Sequence, residues 1–276
     1  MSRTLGPSQP PPPYLLDGRY LAVEHVARGE MSNVYSGSDT WTGEHVAIRF
    51  LRGDRADRER AFRGIAERLF GLSSARVVRA IHTSDDRKGR PYLVTELLVG
   101  RGIQTLGKVR WEVACELTRH AALALRDAHL HGIAHGSLAP DSFFVAASAE
   151  SGTRVKLLDL GSGARGATAR RDIVALADIL HGLLTGTPPH HLGVIPRFPG
   201  APPELAEALE GWLAAEDRNT QVSAADMAKA LRTIVDPTGE DTSPRAVPPP
   251  ITGEIVLPKL SRIVFGSQEP TGEDDE

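Results

Sequence analysis

Residues 134–145 read AHGSLAPDSFFV. A histidine, two serines and an aspartate share a short proline-containing loop, and an apolar, strand-like run follows. A second aspartate, Asp159, comes after the next apolar run, in LLDLG. These groups suit different tasks. An unactivated hydroxyl does not ionise near neutral pH, so Ser137 cannot accept a proton as a carboxylate would. Asp159 with a neighbouring serine would hold Mg²⁺ only weakly, and mainly where phosphate oxygens complete the shell. Upstream, the strand-like VAIR ends in Arg49, and the sequence has no lysine before Lys88.

Composition narrows the setting for these residues. The chain has 276 residues, 41% of them apolar, enough for one large domain or two lobes around a cleft. A formal charge of -3 suggests neither nucleic acid nor an anionic membrane as partner. One cysteine, Cys115, excludes an internal disulfide framework and a multi-cysteine zinc site. No apolar run reaches membrane-spanning length, and the start, MSRTLGPSQPPPPY, has no apolar signal-peptide core. A cytoplasmic protein without a membrane span is expected. Arginine far outnumbers lysine, which with abundant alanine fits a GC-rich bacterial genome.

The elements that must position the loop follow from periodicity. Residues 1–15 are polar and proline-rich, expected as a flexible leader. Short β-branched or alternating runs predict strands at 20–27, 33–39, 44–52, 77–83 and 91–98. One helix interrupts them at 55–72, with Phe62, Ile65, Ala66 and Leu69 at helical spacing. After Gly102 the pattern turns helical. A long helix at 109–131 carries Val113, Leu117, Ala121, Leu125 and Ala128 on one face. Strands at 143–147 and 154–158 form a hairpin, and helices follow at 171–184, 203–215 and 223–235, with Ser223 as an N-cap. From residue 237 proline, glycine, threonine and acidic residues dominate, predicting a disordered tail over 237–276.

A β-rich half with one helix, followed by a helical half with a loop–hairpin insert, resembles the bilobal protein kinase fold. VARGEMSNVY (26–35) is similar to the glycine-rich loop of bacterial serine/threonine kinases, and VAIR (46–49) stands where the family has V-A-I-K. HGSLAPDS (135–142) lies where the family has H-R-D-L-K-P-x-N, and DLG (159–161) where it has D-F-G. RDIVALADILHGLLTGTPP (171–189) is similar to the helix after the activation segment, and SAADMAKALRTI closes the domain. The resemblance covers residues 16–236. It implies an α+β, protein kinase-like fold with an N-lobe at 16–98, a C-lobe at 99–236 and a shortened activation segment.

Phosphoryl transfer needs positioned phosphates, cations to neutralise them and a carboxylate to orient the nucleophile. Matched to the family position by position, much of this set is replaced. In the glycine-rich loop Gly29 remains, while Ala27 and Ser32 replace two glycines. An ordinary strand–turn–strand is the alternative reading of this stretch. The strand lysine is Arg49, a longer and more rigid fork. It is expected either to contact nucleotide or to be solvent-facing or locally salt-bridged. The helix glutamate position falls on Ile65, with Glu67 rotated away. Ser137 stands for the catalytic aspartate, Ala139 for the lysine, Ser142 for the metal-binding asparagine and Gly136 for the arginine. His135 is read as a structural brace, and Asp141 as pointing elsewhere. Asp159 is the retained metal ligand, expected to bind weakly, or else a leftover that caps its turn. Ala47, Thr95, Glu96, Leu98 and Phe144 complete a vestigial nucleotide pocket.

Only SGARGATARR separates Gly161 from Asp172, which matches the aspartate opening the next long helix. An activation loop, a substrate platform and an A-P-E anchor do not fit there. A pseudokinase scaffold or regulatory protein in a bacterial phosphosignalling system is therefore expected, with no catalytic residue assigned. Its alternative is a divergent ATP-dependent phosphotransferase or nucleotide-sensing switch using Arg49 and Asp159. The resemblance leaves ATP, with or without Mg²⁺, as the ligand. In the tail, PTGED occurs twice around ITGEI, which reads either as solvating low complexity or as docking motifs. On the second reading Thr238, Thr252 and Thr271 accept phosphate from an active serine/threonine kinase. The residues three positions on, Asp241, Ile255 and Asp274, resemble ligands of a phosphothreonine-binding, forkhead-associated module.

Overall fold

The computed structural model describes residues 14–29, 31–148, 152–161, 166–187, 197–215 and 222–239. Among them a six-stranded antiparallel sheet runs in the order β1-β2-β3-β4-β6-β5. Its strands are β1 (Tyr14–Leu16), β2 (Tyr20–Arg28), β3 (Ser32–Asp39), β4 (His45–Leu51), β5 (Ala80–Asp85) and β6 (Pro91–Glu96). Alternation along β4 sends Val46, Ile48 and Phe50 to one core, with Tyr92 and Val94 of β6 beside them. Leu51 and Leu93 face the other core, against α1 (Ala56–Gly71). Helix α1 buries Phe62, Ile65, Ala66 and Leu69, the four residues its sequence period marks. Each large apolar side chain fully buried there stabilises by about 1.5–3 kcal/mol relative to exposure.

The second half is built on α2 (Trp111–Leu130), which packs against α3 (Ala169–Thr185) and α5 (Ala224–Val235); α4 (Pro203–Leu213) lies on α3. Facing α2 is a small sheet of β7 (Gly100–Gly102), β8 (Phe143–Ser148) and β9 (Gly152–Leu157). Ser223 caps α5 as the sequence suggests: its Oγ accepts from Asp226 N at 3.1 Å, and the Asp226 carboxylate in turn accepts from Ser223 N at 3.1 Å. The apolar core continues from Leu51 and α1 through Val77 and Val78 to Leu157, Leu160 and the helices. A parallel bridge between Val77 and Leu157 stitches the halves by backbone, with Val78 N donating to Leu157 O at 2.8 Å.

Two sequence expectations change. Strand β1 begins at Tyr14, inside the segment expected as a leader; three residues are too few for a period to register. The strand expected at 77–83 starts at Ala80, because Val77 and Val78 are drawn to Leu157 instead. The leader before Tyr14 and the tail after Gly239 lie outside the described residues.

Candidate functional site

The loop after α2 is held from below by a buried carboxylate. Asp172, in the first turn of α3 and 1% exposed, accepts from His135 N and Gly136 N, both at 2.8 Å, and from His129 Nε2 at 2.8 Å. Removing it would strand the buried His135 N–H and the half-buried Gly136 N–H. Above it the His135 ring is also buried. Ser137 N donates to Nδ1 at 3.4 Å, which places the ring proton on Nε2, and Nε2 donates to Asp159 Oδ1 at 2.9 Å. His135 therefore contacts the backbone of its own loop and also binds the DLG aspartate.

The other oxygen of Asp159 faces Arg49. Arg49 Nη2 lies 3.6 Å from Asp159 Oδ2, and Nη1 donates to Leu158 O at 3.3 Å. Burial works to raise the Asp159 carboxyl, but the His135 hydrogen bond, the Arg49 charge and the Gly161 N–H outweigh it and hold it at about 2. Arg49 thus turns inward across the cleft to the DLG turn and pairs with Asp159 rather than facing solvent. A second guanidinium reaches the same turn. Arg68 of α1 donates from Nε to Leu160 O at 2.8 Å and from Nη2 to Gly161 O. Ile65, at the glutamate position, is buried, and Glu67 is exposed, as the helical spacing indicates.

Close backbone approach fixes two glycines. A Cβ on Gly161, whose φ is +60°, would lie 1.6 Å from His135 O. Gly136, at φ +76°, leaves its would-be Cβ 2.5 Å from the Cβ of Ala167. Ala167, just before α3, therefore sits directly on the position where the family carries arginine. At Gly29 the nearest atom to an added Cβ is Ser32 O at 3.5 Å, so packing does not demand glycine there. Gly29 O accepts from Arg52 Nη1 at 2.7 Å.

The remaining sequence-derived positions are distributed around this centre. Ser137 and Asp141 are exposed, and Ala139 is half-buried. Ser142 is buried and spends its Oγ on Ala139 N at 3.1 Å, closing the turn at 140–142. Ala47 pairs with Thr95 across β4 and β6; Thr95 is buried and bonds Glu96 O. Glu96 Oε1 accepts from Arg79 N at 2.8 Å and from Lys156 Nζ at 2.5 Å. Leu98 is half-buried against the main core, and Phe144 is half-buried on β8, opposite Lys156. A cavity of about 380 Å³ lies away from Asp159, between the end of α1 and the Glu96–Lys156 pair. Thr238 Oγ1 donates to Asp236 Oδ1 at 3.0 Å; Thr252 and Thr271 lie outside the described residues.

No protein-family model matches the chain. It is 28% identical over 275 residues to the probable serine/threonine-protein kinase PknB of Lactococcus lactis, covering 81% of this chain and 43% of that protein. It is 30% identical over 157 residues to the serine/threonine-protein kinase pkn2 of Myxococcus xanthus, covering 55% of this chain and 19% of that one. The chain thus spans less than half the length of these relatives. Its fold matches the PknI kinase domain of Mycobacterium tuberculosis with a TM-score of 0.65 at 19% identity, covering 79% of this chain and 97% of that domain. The chain belongs to the bacterial serine/threonine protein kinase family.

Set in the kinase fold, the DLG carboxylate is turned to the protein's own donors. Among the described residues no group of three or more His, Cys, Asp or Glu side chains converges to hold a metal. The oxygens of Asp159 face a histidine N–H and a guanidinium, and Ser142 is committed to its own turn. Three kinase-fold contacts had no signal in the sequence reading. Arg68 is one of several arginines along α1, and nothing in its spacing marks Leu160 and Gly161 as its partners. Lys156 alternates with buried Val155 and Leu157 along β9, which gave its face but not its partner Glu96. Ala167 sits in a segment whose brevity was legible and whose path was not.

Proposed function

We propose that this kinase-family chain is a pseudokinase, a binding scaffold or regulatory protein that transfers no phosphoryl group. One observation carries the reading. The DLG carboxylate is engaged by His135 and Arg49, while the loop that would orient a nucleophile presents the hydroxyl of Ser137. A transferring kinase needs that carboxylate for metal and a second one for the nucleophile. Losing one electrostatic contact of this kind costs about 2.7–4 kcal/mol of barrier, and here the contacts for metal and nucleophile are replaced together. The packing of Ala167 on Gly136 supports the same reading, since it covers part of the surface where an activation segment would sit.

The partners this reading favours are an active serine/threonine kinase, or a phosphothreonine-binding module that takes Thr238, Thr252 or Thr271 once phosphorylated, in the cytoplasm. No helix among the described residues is long and apolar enough to cross a membrane. A divergent phosphotransferase using Arg49 and Asp159 is the competing reading. Transfer from radiolabelled ATP to protein substrate, compared between the wild-type chain and Asp159→Ala, separates the two. Equal background in both supports the scaffold, and Asp159-dependent label supports the enzyme. For the partner, a phosphorylated Thr252 peptide should retain a forkhead-associated module that the unphosphorylated peptide does not.

A further inference from the structure

The cleft cluster carries one step more, resting on the non-catalytic reading above. Arg49 is poorly satisfied for a guanidinium. Its contact to Leu158 O is 3.3 Å, its nearest carboxylate oxygen is 3.6 Å away, and its Nε is buried with no hydrogen-bond partner. Guanidinium groups ordinarily grip carboxylate or phosphate at about 2.7–2.9 Å, often through two parallel bonds. Asp159 makes its short bond to His135 instead. Arg68 brings a second guanidinium to the same turn. Arg49 thus faces the Asp159 carboxylate, and Arg68 adds a second positive charge to the turn through the neighbouring carbonyls.

In the family's arrangement the carboxylate recruits a divalent cation, and the cation recruits phosphates. Here the balance has the opposite sign: it repels a divalent cation and attracts a polyphosphate directly. We propose that the cleft takes a nucleoside triphosphate as a metal-free anion, with Asp159 competing with the phosphates for Arg49 rather than recruiting a metal for them. The carboxylate is then an internal occupant that an incoming phosphate displaces.

The test is calorimetric titration of the full chain with ATP in EDTA and in excess Mg²⁺. Tripolyphosphate and adenosine are run as separate ligands. Wild type should bind ATP in EDTA, and Mg²⁺ should weaken that binding by about threefold or more, because it neutralises the charge the arginines read. Asp159→Asn keeps an oxygen to accept from His135 and removes only the charge, so it should tighten ATP by about fivefold or more. Arg49→Gln should weaken ATP by about tenfold or more. Tripolyphosphate should bind measurably and adenosine more weakly. A melting curve for each variant confirms folding. A requirement for Mg²⁺, a looser Asp159→Asn, or binding of adenosine without tripolyphosphate would each overturn the proposal. Absence of ATP binding in EDTA would overturn it too and leave the scaffold reading intact. Mg²⁺-dependent phosphoryl transfer would instead overturn the scaffold reading itself.

Discussion

Gly136 and Ala167 pack so closely that a Cβ on the glycine would come within 2.5 Å of the alanine Cβ. The position where the family places a phosphate-gripping arginine is here filled by the segment that arginine would have organised. Charge and partner are thus absent together, which avoids the cost of leaving one member of a pair buried alone. Restoring the family residue should harm the fold. Gly136→Arg combines left-handed backbone strain with overpacking and is expected to cost about 2–4 kcal/mol. Urea denaturation would register it as a lowered midpoint; a wild-type midpoint would mean that Ala167 yields without cost.

The buried Asp172 organises the loop without touching any place where a ligand would sit. Asp172→Ala strips the acceptor from His135 N, Gly136 N and His129. The expected loss is about 3–5 kcal/mol, because the stranded His135 N–H stays buried and the Gly136 N–H half-buried. Chemical denaturation measures it, and a loss below about 1 kcal/mol would show that the loop finds other acceptors.

Arg68 ties α1 to the DLG turn through two carbonyls, where the family uses an ion pair between strand and helix. Arg68→Met keeps much of the side-chain volume and removes the donors. It should destabilise by about 1.5–3 kcal/mol and speed amide exchange in the last turns of α1 ahead of α2. Unchanged exchange in α1 would show that Phe62, Ile65 and Leu69 alone hold the helix.

Acid should loosen the domain in a defined window. Asp159, Glu116 beside Arg119 and Asp39 beside Arg19 are each held at about 2, below the ordinary carboxylate range. Such groups contribute stability that is full above their unfolded values, near pH 4, and is lost as pH falls through the folded values. Melting temperature should be flat from about pH 7 to 5 as far as these groups go, and fall below about pH 4. Arg49→Gln removes a cause of the Asp159 depression. The stability difference between wild type and this variant should therefore hold above about pH 5 and close towards about pH 2. A difference that grows with acid would contradict the sign.

Much of the fold was legible because it is written in local period. The face of α1 and the cap at Ser223 both follow from spacing and residue chemistry. The site was legible only as a set of replaced residues. That His135 binds Asp159, that Arg49 turns inward and that Arg68 reaches the DLG carbonyls are long-range choices. They depend on where the lobes meet, and no period in the chain encodes that. Val77 and Val78 make the same point: their β-branched run reads as a strand, and packing against Leu157 takes them out of it.

That Asp159 is held by the protein's own donors rather than by a metal is tested most directly by Mn²⁺ binding. Electron paramagnetic resonance would follow free Mn²⁺ in the presence of the chain and a non-hydrolysable ATP analogue. Wild type and Asp159→Ala should leave the same concentration of free Mn²⁺ across the titration. Retention of one Mn²⁺ per chain by wild type, lost in Asp159→Ala, would contradict it.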